Sequence, residues 1–250
     1  MINKTRAFIR LFFFAIGSLL YILRYLLKAI FVGFDLDRIL RIRMSWFKWI
    51  NKGLGVEIEV FGNMPKEGGL IVCNHRSYFD PIIVLSQLLA LPVGKAEMKS
   101  WPIIGLGARL SGVIFVQRKT PEGRSQARQD ILKTIERGYA VINYPEGTTH
   151  TNAQTIDFKP GMFKDAAKVG FPIYPVALEY QQVNDAWVGD DTFIRHFVEC
   201  FGKRKTKIRI SYGPKLMSSE TEKLMSDSKH WIDKELLNLR SNWHEKGQSI

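Results

Sequence analysis

The run Asn74-His75-Arg76-Ser77-Tyr78-Phe79-Asp80 holds the residues best suited to chemistry. A histidine followed by an aspartate at this spacing can serve as a general base and the carboxylate that orients it. If Asp80 fixes the proton on one imidazole nitrogen, the other can take a proton from a hydroxyl nucleophile. His75 directly follows the apolar run Leu70-Ile71-Val72-Cys73, so its ring is expected at a sheet edge rather than in the core. Asp80 precedes Pro81, the pattern of an N-cap and an N1 proline opening a helix, and a capping role is compatible with orienting the ring. Spacing alone is weak, because the five histidines of this chain give such a pair often by chance.

Three further segments strengthen it. Gly112-Val113-Ile114-Phe115-Val116-Gln117-Arg118 ends a buried strand with a lone cation, a way to present a guanidinium to a phosphate. Tyr144-Pro145-Glu146-Gly147-Thr148-Thr149 follows another buried strand and offers a turn with glycine amides and hydroxyls. Phe171-Pro172-Ile173-Tyr174-Pro175-Val176 is apolar with two prolines, which suits an edge or a pocket wall. Cys73 offers a thiol beside His75, but its apolar run marks it as a buried structural cysteine.

The elements that must position these residues begin near Gly53. Val56 to Val60, Leu70 to Cys73, Val113 to Val116, Ala140 to Asn143, Pro172 to Leu178 and Lys207 to Tyr212 read as strands. Between them, Pro81 to Leu91, Ser125 to Arg137 and Met162 to Val169 read as helices, and residues 219–243 as a closing helix. The alternation predicts an α/β fold in which helices cover a mixed β-sheet. Residues 53–250 are taken as the catalytic domain and residues 1–52 as a membrane-associated segment.

That first segment is very apolar from Ala7 to Phe34, yet its longest uncharged run, Leu11 to Leu23, is 13 residues, short of the roughly 20 needed to span a bilayer. On a helix, Arg6, Arg10, Gly17, Tyr21, Arg24 and Lys28 form a stripe about 60° wide. This predicts a helix lying in the interface, with Phe12, Phe13, Phe14, Leu19, Leu20, Leu26 and Leu27 in the acyl layer and the basic stripe on lipid phosphates. A second amphipathic helix is expected from about Leu36 to Leu54, with Trp46 and Trp49 at headgroup level and Arg43 snorkelling out of its apolar face. A tilted single span with Arg24 and Lys28 snorkelling, and ordinary core helices, are the competing readings. A signal peptide is not expected, since no small-residue cleavage site follows the apolar run.

Composition agrees with one globular domain plus an appendage: 46% of residues are hydrophobic and 24% charged. The formal charge of +12 calls for an anionic partner, whether nucleic acid, anionic membrane or phosphorylated substrate. Residues 1–52 carry +8 of it, with ten basic side chains against Asp35 and Asp37. These basic residues interleave with acyl-seeking apolar ones rather than a stacking platform, which sets nucleic acid aside. Two cysteines make neither a disulfide framework nor a metal cluster, and no metal or bound cofactor is implied.

At these residues the chain resembles the glycerolipid acyltransferases that acylate lysophosphatidic acid, the 1-acyl-sn-glycerol-3-phosphate acyltransferases. Four family blocks stand in order: Asn74-His75 with Asp80, Gly112 to Arg118, Pro145-Glu146-Gly147-Thr148, and Pro172 to Val176. Lys95-Ala96-Glu97-Met98 and Pro102-Ile103-Ile104-Gly105 also look like the family, with a looser echo from Trp187 to Phe197. The resemblance implies acyl transfer from acyl-CoA or acyl carrier protein, as co-substrate, to a lysolipid hydroxyl without an acyl-enzyme. In it, His75 is the base, Asp80 orients it, Arg118 holds the acceptor phosphate, and Glu146, Gly147 and Thr148 order the acceptor site. Lys159 is a second phosphate ligand or part of a solvated turn, and Pro172 lines the acyl side. It also implies a protein on the cytoplasmic face of the inner membrane, monotopic or peripheral, with membrane phospholipids as neighbours. One position departs: the family usually has arginine after Gly-Thr, and here Thr149 and His150 follow, so that either Arg118, Lys159 or His150 compensates as phosphate ligand or the acceptor carries another headgroup. Another lysolipid, such as lyso-ornithine lipid, is therefore an alternative acceptor, and a non-catalytic lipid-binding protein an alternative function.

Overall fold

The computed structural model describes residues 3–33, 35–100, 104–189 and 191–245. Pro102 and Ile103, quoted above as family-like, lie outside them. Seven strands form one sheet: β1 (Val56–Gly62), β2 (Gly69–Cys73), β3 (Ala90–Lys95), β4 (Ile114–Val116), β5 (Ala140–Asn143), β6 (Ile173–Tyr180) and β7 (Thr206–Tyr212). Their order across the sheet is β1-β7-β6-β2-β5-β3-β4. All neighbours run parallel except β6 and β7, which makes the sheet mixed as expected. The helices are α1 (Lys4–Val32), α2 (Leu36–Leu54), α3 (Asp80–Leu85), α4 (Ile104–Leu110), α5 (Pro121–Glu136), α6 (Gly161–Val169), α7 (Phe193–Phe201) and α8 (Thr221–Glu245). They cover both faces, burying one apolar cluster around Ile71, Ile83, Ile142 and Leu178 and another around Leu70, Val141, Phe163 and Ile232.

The apolar run from Pro81 to Leu91 is not one helix. It splits into the short α3, which ends at Leu85, and the strand β3 from Ala90, whose residues complete the sheet between β5 and β4.

The two N-terminal helices form, but they are used differently from the expectation. Leu40, Phe47, Ile50 and Leu54 of α2 are buried in the core of the domain. The apolar face of α2 is therefore turned to the sheet rather than to lipid. Arg43 does not snorkel. It is 1% exposed and donates to the carbonyls of Ser111, at 2.6 Å, and Ala90. Burial pushes its pKa down to about 10, so it keeps its charge at neutral pH inside a cradle of carbonyl oxygens.

Helix α1 packs along α2 through stacked pairs, Phe13 on Trp49 at 3.9 Å and Tyr21 on Trp46 at 4.6 Å between centroids. The absence of a side chain at Gly17 lets Trp49 approach, since an added Cβ would collide with its ring. Half of the basic stripe is also spent on protein. Arg6 donates to Gly202 O at 3.2 Å, and Arg10 to Phe201 O at 2.9 Å, Lys203 O at 2.7 Å and Arg204 O at 3.1 Å. Phe201 and Gly202 form the C-terminal end of α7, the negative end of its dipole, and Lys203 and Arg204 follow it. Arg24 and Lys28 remain exposed. So do Phe8, Ile9, Phe12, Ile16, Leu19, Leu20, Leu23, Leu27, Ile30 and Phe31, with Phe12 at 70%; they cover an arc of about 140°. By length and composition Lys4–Lys28 meets the requirement for crossing a bilayer, with a mean hydropathy of 1.8.

Candidate active site

Strands β2, β4, β5 and β6 share one direction, so the loops after them open at the same edge of the sheet, where ligands of parallel sheets gather. His75 follows β2, Arg118 follows β4 and Glu146 follows β5. The edge is tied by Asn74, whose side chain donates to Leu178 O at 2.9 Å and accepts from Leu178 N at 2.8 Å. That reciprocal pair extends the β2–β6 ladder one step and fixes where the chain leaves the sheet, one residue before His75.

The His75 ring is held on two sides. Its Nδ1 lies 2.8 Å from Asp80 Oδ2, and its plane stacks on Tyr144, 4.2 Å between centroids at 23°. Asp80 is fully buried. Its Oδ2 also accepts from Arg76 N at 2.6 Å and Ser77 N at 2.8 Å, and its Oδ1 from Tyr180 Oη at 2.8 Å. Four donors on one carboxylate satisfy both oxygens and fix its orientation. Asp80 is the first residue of α3 rather than its N-cap, which is Phe79 with no side-chain cap bond. The carboxylate turns back to the amides of the preceding loop instead, so the capping role is replaced. With Nδ1 donating to Asp80, Nε2 is the acceptor, and it has no protein partner among the described residues. The His75 side chain is 21% exposed, so this nitrogen can meet a hydroxyl from outside.

Glu146 serves the backbone of His75. Its Oε2 accepts from His75 N at 2.6 Å, and its Oε1 from His150 Nε2 at 2.7 Å and Ile156 N at 3.2 Å. Gly147 sits at φ 73° in a turn closed by its N–H on Tyr144 O at 3.1 Å. That left-handed conformation is what favours glycine here, and the Lys159 side chain lies over the position a Cβ would take. The Gly147 carbonyl accepts from Arg118 Nη1 at 3.2 Å, and Arg124 Nη1 donates to Arg118 O at 2.7 Å. Arg118, Lys159, Arg124 and Thr148 are all exposed. Three cations thus gather by the turn that follows Glu146, a setting that attracts an anionic headgroup.

Thr149, the position that departs from the family pattern, and Pro172, expected on the acyl side, both stand away from His75. Thr149 donates its hydroxyl to Trp187 O, and Trp187 N donates to Arg76 O at 2.9 Å, so this position buttons two loops together. Pro172 lies at the opposite edge of the sheet. Its carbonyl accepts from Leu70 N at 2.9 Å, and six residues of strand, about 20 Å, separate it from Leu178 beside Asn74. It lines no wall of the His75 site, because parallel β2 and β6 carry their beginnings to one edge and their ends to the other.

Cys73 is buried. Burial, reinforced by the nearby Asp80 and Glu146 charges, pushes its thiol well up from the usual range, which keeps it protonated. Among the described residues no group of His, Cys, Asp and Glu gathers to hold a metal ion. Tyr180, Tyr144 and Arg76 were not legible as site residues, and His150, a possible phosphate ligand by sequence, has its ring on Glu146 and Arg76 instead. Tyr180 is 100 residues from Asp80 in sequence, and only the pairing of β2 with β6 brings them together.

Residues 56–179 match the protein-family model described as Acyltransferase. Those residues belong to the Acyltransferase family. The chain is 31% identical over 162 residues to a lyso-ornithine lipid O-acyltransferase of Pseudomonas aeruginosa, covering 62% of each. It is 28% identical over 129 residues to a 1-acyl-sn-glycerol-3-phosphate acyltransferase of Neisseria gonorrhoeae, covering 51% of each. The matched segment thus spans from half to about three fifths of the length of these relatives. The fold is that of the crystal structure of the 1-acyl-sn-glycerophosphate (LPA) acyltransferase PlsC from Thermotoga maritima, with a TM-score of 0.63 at 18% identity over 90% of this chain and 96% of that one.

Proposed function

We propose that this protein moves a fatty acyl group from an acyl thioester, acyl-CoA or acyl carrier protein, to the free hydroxyl of 1-acyl-glycerol-3-phosphate, giving phosphatidic acid. The observation that carries it is the His75 ring, fixed at Nδ1 by buried Asp80 at 2.8 Å and open at Nε2. Nε2 takes the hydroxyl proton as the oxygen bonds to the thioester carbonyl carbon. The tetrahedral intermediate then collapses, the C–S bond breaks, and the imidazolium returns its proton to the leaving thiolate. Asp80 stabilises the transient imidazolium. Arg118 and Lys159 meet the acceptor phosphate. The exposed apolar arc of α1, with Arg24 and Lys28 beside it, seats the enzyme in one leaflet at the cytoplasmic face of the inner membrane, where both lipid substrate and product reside.

A second reading is favoured by Thr149. Its hydroxyl is committed to Trp187 O, which leaves the headgroup with one cation fewer than the family pattern provides, and a lyso-ornithine lipid O-acyltransferase is among the relatives. The acceptor is then lyso-ornithine lipid, and its carboxylate takes the place of the phosphate. Both readings share one test. His75→Ala abolishes transfer to either acceptor while folding and liposome binding persist, and near-normal acylation by that variant sinks the assignment. Purified lysolipids offered side by side to the wild-type chain then separate the two acceptors.

A further inference from the structure

His150 lies outside the family blocks, yet it completes the shell around the loop that carries His75. Its ring bridges two buried charges. Nε2 meets Glu146 Oε1 at 2.7 Å, and Nδ1 faces Arg76 Nη1 at 3.2 Å and Asn152 N at 3.2 Å. Arg76 and the backbone amide can only donate, so Nδ1 accepts and the proton sits on Nε2, pointed at Glu146. Arg76 is held in turn: Nη1 also donates to His150 O at 3.2 Å and Nη2 to Glu179 at 3.2 Å, and Arg240 of α8 closes on the same Glu179. The chain of contacts from α8 therefore ends at Glu146, whose other oxygen takes the His75 amide at 2.6 Å.

The consequence concerns the first three N–H groups of the loop after Asn74, those of His75, Arg76 and Ser77. Asp80 takes those of Arg76 and Ser77, and Glu146 takes that of His75. The ring of His75 is aimed by Asp80, but the height of its backbone is set by Glu146. Glu146 is fully buried at its side chain and has three donors; of these, only His150 is a side chain. We infer that His150 is a positioning residue for the acyl-transfer reaction: its Nε2–H fixes Glu146, which fixes the backbone of His75 and so the place of Nε2 relative to the acceptor hydroxyl. This rests on the reading of His75 as the base.

The test compares His150→Gln, His150→Asn and His150→Ala in the full-length protein. Oleoyl-CoA or oleoyl carrier protein serves as donor, and 1-oleoyl-glycerol 3-phosphate or lyso-ornithine lipid as acceptor. Glutamine can donate from a position close to Nε2, asparagine only near Nδ1. The expected result is a fall in kcat of roughly 100-fold for His150→Ala and His150→Asn, the cost of misplacing a reacting group by about 1 Å. KM for the acceptor stays within about twofold, and His150→Gln recovers kcat to within about tenfold of wild type. Equal loss in all three variants in step with a fall in Tm, or a changed KM with kcat intact, overturns the inference. His75→Ala is run beside them: activity in that variant refutes the base itself, whereas an inactive His75→Ala with fully active His150 variants refutes only the positioning role.

Discussion

Replacing Asp80 by asparagine separates the charge of this carboxylate from its geometry. Asparagine can keep its oxygen on the amides of Arg76 and Ser77 and on His75 Nδ1, the partners of Oδ2. Its amide nitrogen then faces Tyr180, whose hydroxyl rotates to accept. The side chain is fully buried, so the lost charge is not replaced by water. At an effective dielectric constant of about 20, a carboxylate and an imidazolium whose charge centres lie about 4 Å apart attract by about 4 kcal/mol. That attraction exists only once His75 has taken the proton, so its loss falls on the barrier and slows transfer by about 1,000-fold. The assay is steady-state acyl transfer with kcat and KM resolved, alongside thermal unfolding to show that the fold persists. A loss smaller than about tenfold at unchanged Tm would falsify the claim that Asp80 stabilises a protonated His75.

Arg43→Met leaves the buried carbonyls of Ser111 and Ala90 without donors and is expected to destabilise the protein by about 3 kcal/mol; an unchanged urea midpoint would refute the structural role given to this charge. Phe12→Ser combined with Leu20→Ser, two exposed positions on α1, is expected to weaken partition onto anionic vesicles by about 3 kcal/mol, on the order of 100-fold, with Tm unchanged. Vesicle binding equal to wild type removes that face of α1 from the membrane contact. Burial pushes the pKa of His196 below its ordinary 6.5, so the unfolded chain binds this proton more readily and stability is lost as pH falls through 6.5. His196→Asn is expected to flatten the fall of Tm between about pH 7 and pH 5, and a fall as steep as that of the wild type contradicts the assignment.

Much of the fold was legible because local pattern and long-range packing ask for the same thing. β-Branched runs such as Leu70 to Cys73 and Ala140 to Asn143 are buried strands whichever neighbours they find, and both appear close to the expected bounds. The stretch from Pro81 to Leu91 was misread because apolar residues without clear periodicity suit a buried helix and a buried strand alike. The same ambiguity applies to α2. An amphipathic helix shows from sequence that one face seeks an apolar medium, but not whether that medium is lipid or the protein's own core.

By itself the sequence determined the alternation of strands and helices, the basic and apolar character of the N-terminal segment, and the loop that carries His75 and Asp80. Each depends on residues a few positions apart, where chain connectivity already enforces proximity. Tertiary structure alone decided what those residues meet. The parallel pairing of β2 with β6 brought Tyr180 to Asp80 and carried Pro172 to the far edge. The adjacency of β2 and β5 set Glu146 under the His75 amide. The packing of α2 turned Arg43 from an expected surface charge into a buried clamp. Such contacts join residues from about 50 to 100 positions apart, and no local spacing encodes them, because the energy that selects them comes from burying the whole sheet at once.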